Sequence, residues 1–155
     1  MSKQLQIGTS IFEYPENNQN PGWGEVATDW AEAATDVIAD LSGPNDVLLT
    51  TALIANTQPT AQNVVGLSFN IGSVKSFSAP YFVTRSVTGT TVVESGTMNG
   101  NYDGTAWNFS VVDVIGDGGM DFDITSAGQV TYYSDTLAGT SYVGQIKFRA
   151  KTIDT

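Results

Sequence analysis

The sequence predicts an all-β fold: a β-sandwich or jelly-roll-like barrel preceded by an extended N-terminal arm and one amphipathic helix. Three observations carry this expectation. From Asn45 to the C-terminus the apolar residues recur with period two. Short runs rich in Val, Ile, Thr, Tyr and Phe are separated there by Gly- and Asp-containing turn signals. The one convincing three-and-four spacing lies upstream, between Trp23 and Leu41. At 155 residues the chain suits a single compact core with an appendage. The expected organisation is therefore an arm over 1–22, a helix over 23–42 and a β module over 46–155.

Taken in order, Leu5 to Tyr14 is a short apolar-polar stretch, followed by Pro15-Glu16-Asn17-Asn18-Gln19-Asn20-Pro21-Gly22. Two prolines and three asparagines there rule out regular structure and define an arm or linker. Phe12 and Tyr14 are costly to leave in water unless they dock on something. In the helix, Trp23, Val26, Trp30, Ala33, Ala34, Val37, Ile38 and Leu41 share one face, and Ser42-Gly43-Pro44 supplies a stop. Glu25, Asp29, Glu32, Asp36 and Asp40 occupy the other face, with no cation among them. Trp23 and Trp30 fit either the seam of a helical trimer or packing within their own subunit.

The candidate strands are Val47–Ala55, Asn63–Phe69, Val74–Val87, Thr91–Met98, Trp107–Val114, Met120–Thr125, Gln129–Ser134 and Tyr142–Ile153. Turn signals between them include Asn70-Ile71-Gly72, Asp103-Gly104 and Gly116-Asp117-Gly118-Gly119. Pro80 cannot donate to a ladder, so its segment is expected to be an edge strand, to bulge, or to be two strands. In the last strand Ile146, Phe148 and Ala150 alternate with Lys147, Arg149 and Lys151, which places half of the chain's six cations on one strand face. That stripe reads either as protection of an edge strand or as a contact for the acidic helix, including that of a neighbouring subunit.

Composition narrows the chemistry. Sixteen acidic residues against six basic ones leave a net charge of −10, which disfavours a nucleic-acid partner. No segment approaches the length of a membrane span, and Met1 to Ser10 lacks the apolar run of a signal peptide, so a product folding in the cytoplasm of its host cell is expected. Histidine and cysteine are both absent, which removes the usual general base, the thiol nucleophile and most transition-metal ligands. Carboxylates remain. Asp113, Asp117, Asp121 and Asp123 surround a Gly-rich turn and read as solvated turn residues before they read as a calcium site or an acid/base pair, because the spacing is not that of an EF-hand loop. Tyr81, Tyr102 and Trp107 fit sugar stacking as well as core packing. Asn108-Phe109-Ser110 matches the glycosylation triplet without a secretion signal to support it. No cofactor and no catalytic residues are expected.

Several stretches resemble a known group. Tyr14 to Glu25, followed by Thr28-Asp29-Trp30, is similar to the N-terminal region of tail-fibre and other virion structural proteins of tailed bacteriophages. Val65 to Phe69, Tyr81 to Arg85, Glu94 to Met98 with Gly100-Asn101-Tyr102, Gly128 to Tyr132 and Gly144 to Thr152 resemble a β module that recurs in such proteins. The resemblance implies a virion component assembled in the host cytoplasm. The leading expectation is a capsid decoration or cement protein that forms a homotrimer and whose partner is the major capsid protein. Phe12, Tyr14, Trp23 and Trp30 are the expected anchors, with Lys147, Arg149 and Lys151 as further contacts. The alternative is a tail-associated fibre, adaptor or receptor-binding module that recognises host glycans.

Overall fold

A computed structural model describes residues 4–7, 10–13, 27–35 and 43–154, the first two segments by their backbone alone. The chain divides into two compact units, Met1–Pro44 and Asn45–Thr155.

In the first unit, β1 (Gln4–Ile7) and β2 (Ser10–Glu13) pair antiparallel, with Leu5 opposite Phe12. The predicted arm thus contains a hairpin, formed largely within its apolar-polar stretch. The helix α1 is described over residues 27–35, a part of the predicted 23–42. Trp30, Ala33 and Ala34 are its half-buried positions, as the spacing implies, while Asp29 and Glu32 are exposed. Tyr14 and Trp23 lie outside the described residues, as does the side chain of Phe12.

The second unit is a β-sandwich. One sheet has five strands in the order β3 (Val47–Leu53), β10 (Val143–Asp154), β5 (Val74–Val87), β6 (Thr90–Tyr102) and β7 (Trp107–Gly116). The other has three, in the order β4 (Gln58–Ser68), β9 (Gln129–Ser134) and β8 (Met120–Ile124). Every pairing in both sheets is antiparallel. Val74–Val87 and Gln129–Ser134 coincide with the segments expected from the alternation, and the other strands differ from expectation at their ends.

The core lies between the sheets. Phe77, Ala79, Tyr81 and Val83 of β5, with Ile146 and Phe148 of β10, face Val64, Leu67, Val130 and Tyr132 of the smaller sheet, all of them buried. Phe69 stacks on Phe77 with ring centroids 3.8 Å apart, and the edge of Phe122 meets Tyr81 at 5.0 Å. The glycines of β6 make room for these rings. A Cβ at Gly100 would stand 2.2 Å from the Phe77 ring, and one at Gly96 would stand 2.9 Å from the Tyr81 hydroxyl. The small residues on β6 and the large ones on β5 are two halves of one packing solution.

Two expectations about this sheet are corrected. Pro80 lies neither on an edge strand nor at a break between two strands: β5 runs unbroken between β10 and β6. Its register with β6 is continuous through Pro80–Thr97. On the β10 side, pairing stops at Phe148–Tyr81 and resumes at Lys151–Ser78 without a change of register. The long, well-packed strand therefore tolerates the missing N–H as a local interruption. The cationic strand β10 is likewise internal, so its charges do not guard an edge.

Candidate interaction surface

The alternation that buries Ile146, Phe148 and Ala150 turns Lys147 and Arg149 outward, onto the solvent face of the five-stranded sheet. The register builds that face row by row. Thr51, Lys147, Phe82, Ser95 and Ile115 follow one another across all five strands. Leu53, Gln145, Thr84 and Val93 form the neighbouring row. Leu53, Leu49 and Ile115 are 79%, 75% and 73% exposed, and Phe82 is 46% exposed. Large apolar side chains on a face that has no covering layer in its own unit carry a standing cost in water, of the kind that marks interaction sites.

The centre of this face is irregular. The interrupted pairing at Pro80 adjoins Arg149, and the β10–β3 register shifts between Phe148 and Ala150. Leu49, Pro80, Phe82, Lys147 and Arg149 line a shallow depression of about 290 Å³ there. Among the described residues neither Lys147 nor Arg149 has an ion-pair partner. Lys151 differs: its Nζ lies 2.6 Å from Asp46 Oδ2. Asp46 also accepts from the Thr152 N–H at 2.7 Å and from the Thr152 hydroxyl at 3.0 Å, which staples the start of β3 to the end of β10. Of the three predicted cationic contacts, the structure brings Lys147 and Arg149 together with apolar neighbours and gives Lys151 a local role.

Beneath the sheet lies a second charged group, which the sequence reading overlooked. Arg85 is 1% exposed and Glu94 is 5% exposed. Arg85 donates to Tyr142 Oη at 3.1 Å, to Gly119 O at 3.1 Å and to Asn56 Oδ1 at 2.9 Å, and also to the carbonyls of Gly118 and Asp135. Glu94 accepts from Tyr81 Oη at 2.8 Å and from the Gly118 N–H at 2.9 Å. The Gly118 residue thus stands between them, its N–H on the carboxylate and its carbonyl on the guanidinium. Burial, and then the hydrogen bond to Glu94, push the Tyr81 hydroxyl pKa well above its ordinary value. Gly119 has φ +62°, and a Cβ there would approach Arg85 Nη1 to 2.9 Å, so the turn admits the guanidinium only because this residue is glycine. The signal was present in the alternation: Arg85 falls in phase with Phe77, Ala79, Tyr81 and Val83.

Three of the four acidic residues around that turn have local explanations. Asp113 occupies the β7 bulge with φ 53°, where the β6–β7 register shifts. Asp117 accepts from the Gly119 N–H at 2.9 Å and Asp123 from the Ile124 N–H at 2.7 Å. Among the described residues no three acidic side chains converge as a metal site would require. Tyr81 is buried, which removes it as a stacking platform for sugars. Trp107 packs on Phe77 at 5.6 Å and on Tyr102 at 5.4 Å. Among the described residues no helix is long and apolar enough to cross a membrane.

Comparison with known proteins adds little to this picture. No family model matches the chain, and no curated protein matches it. Among solved structures, the tailspike protein of the Acinetobacter phage vB_ApiP_P1 is similar over 71% of this chain, at 12% identity and a TM-score of 0.36. The match spans 20% of that protein's length. A likeness this distant assigns neither a family nor a role.

Proposed function

We propose that this protein is a non-enzymatic structural component of a bacteriophage particle, a capsid decoration protein that assembles as a homotrimer on the shell of the major capsid protein. The observation that carries the reading is the outer face of the five-stranded sheet, where Leu49, Leu53, Phe82 and Ile115 surround Lys147 and Arg149. An apolar face whose central cations have no ion-pair partner among the described residues is suited to burial in an interface. The phage assignment draws on the sequence resemblance of Tyr14 to Glu25 and of the β segments. Phe12, Tyr14, Trp23 and Trp30 remain the proposed anchors on the shell. Binding rather than turnover fits the way Glu94 spends both carboxylate oxygens on internal hydrogen bonds.

The test is the mass of the purified protein by light scattering, alone and after mixing with undecorated shells of its phage. A trimer that co-sediments with shells is expected. A protein that ignores shells contradicts the decoration role.

One observation favours a second reading, a tail-associated module that recognises host glycans. On the smaller sheet, Gln58, Asp121, Tyr133, Asp135 and Thr136 line a polar cleft of about 250 Å³. Its wall includes Thr57, held at φ 56°, a rare conformation for a β-branched residue. A half-exposed tyrosine beside carboxylates and hydroxyls is chemistry that sugars use. Saturable binding of host envelope polysaccharide, lost in Tyr133→Ala, would favour this role.

A further inference from the structure

We propose that the outer face of the five-stranded sheet is occupied by the acidic helical segment of a second copy of this chain, the segment that contains α1. The inference rests on reading that face as an interface and names its partner.

Charge is divided unevenly along the chain. Residues 4–74 contain no Lys or Arg, while Asp29, Glu32, Asp36 and Asp40 fall within the predicted helix. The sheet face shows the opposite character, with Lys147 on β10 directly opposite Phe82 on β5 and Arg149 two residues further along β10. Neither cation has an ion-pair partner among the described residues, and neither do Asp29 and Glu32. Two like faces meeting about a two-fold axis would oppose cations to cations, which disfavours sheet-to-sheet pairing.

The steric match agrees with the charge. Trp30, Ala33 and Ala34 form the half-buried side of α1. Its exposed arc carries small residues, Ala27, Ala31 and Thr35, on one side and the carboxylates of Glu32 and then Asp29 further round. Small side chains let a helix settle closely on large ones, and Leu49, Leu53 and Phe82 are the large ones supplied. The sheet thus provides bulk and positive charge, and the helix provides a low profile and negative charge. The contact is heterologous, since a sheet on one copy meets a helix on the next. Repeated three times with a closing rotation, it makes a ring, which is the trimer proposed above.

The direct test is a zero-length carbodiimide cross-link between the Lys147 amine and a carboxylate. Natural-abundance and ¹⁵N-labelled full-length chains would be combined in equal parts at a dilution that dissociates them, reconcentrated together without shells, cross-linked, and digested for mass spectrometry. Cross-links from Lys147 to Asp29 or Glu32 that join a light peptide to a heavy one are expected. Cross-links only within one isotopic form, or none to these residues, would overturn the proposal. In parallel, Lys147→Glu with Arg149→Glu should weaken self-association at least about tenfold, and adding Asp29→Lys with Glu32→Lys should restore it. Failure of the swapped protein to re-associate, with its melting transition intact, would also overturn the proposal. Because shells are absent, this outcome is independent of whether the protein decorates a capsid.

Discussion

Arg85 and Arg149 stand on adjacent strands of the same sheet and face opposite ways. Arg85 points into the sandwich, where five hydrogen bonds join it to Tyr142, Asn56 and the carbonyls of Gly118, Gly119 and Asp135. Arg149 points outward beside Pro80 and has no ion-pair partner among the described residues. One residue type therefore performs two tasks. An arginine buried under a sheet is tolerable only when its donors are all satisfied, and it then ties together every segment that satisfies them. An arginine on an apolar outer face contributes little to the fold and is available to a partner.

The comparison predicts its own failures, the largest on the inner side. Arg85→Met should remove about 3–5 kcal/mol of stability, because the Gly118 and Asp135 carbonyls lose the guanidinium as donor and Glu94 loses the turn that Arg85 holds. Urea unfolding measures this, and a loss below about 1 kcal/mol would mean the hub is dispensable. Gly100→Ala should cost about 1–3 kcal/mol by forcing the Phe77 ring aside. The same unfolding experiment reads it, and a neutral result would show that the ring can move freely.

A subtler inner test uses Tyr81→Phe, which strips Glu94 Oε1 of its donor and should cost about 1–3 kcal/mol. It also carries a pH signature. The Tyr81 pKa is raised above its ordinary value of 10.0 in the folded protein, so the unfolded chain releases this proton first. The stability contributed by the group is fully present below pH 10 and falls as pH rises beyond it. Unfolding free energy should therefore decline more steeply between about pH 10 and 12 in the parent protein than in Tyr81→Phe. Parallel profiles would show that the hydroxyl is not held as described.

On the outer side the expected stability effect is smallest. Lys147→Glu with Arg149→Glu, compared with the parent at a dilution where both are monomeric, should leave the unfolding free energy within about 0.5 kcal/mol. A large loss would place these residues among those that hold the fold.

The sequence was most informative where neighbours along the chain decide the outcome. Period-two alternation located the strands, and it placed Ile146, Phe148 and Ala150 on one side of β10 with Lys147 and Arg149 on the other. What it left open depends on pairing between distant segments. Whether β10 is an edge or a centre rests on β3 and β5 flanking it, from 90 and 60 or so residues away along the chain. The outer face likewise assembles from single residues of five strands: Thr51, Lys147, Phe82, Ser95 and Ile115 share a row that no local window contains. Arg85 and Glu94 were legible in principle, since both keep the phase of buried neighbours. Their charge argued for solvent, and only the partners that converge on them from distant segments, the β7–β8 turn among them, reverse that argument.

The central claim is that this outer face serves interaction and not folding, and one comparison tests it most directly. Phe82→Asp combined with Lys147→Glu would be measured against the parent protein for co-sedimentation with undecorated shells, with thermal unfolding followed separately at a dilution that dissociates the parent's trimer. The account predicts an unchanged melting transition and at least about a tenfold loss of shell binding, since a trimer that cannot close presents its anchors singly. A doubly substituted protein that melts like the parent and still decorates shells as tightly would contradict it.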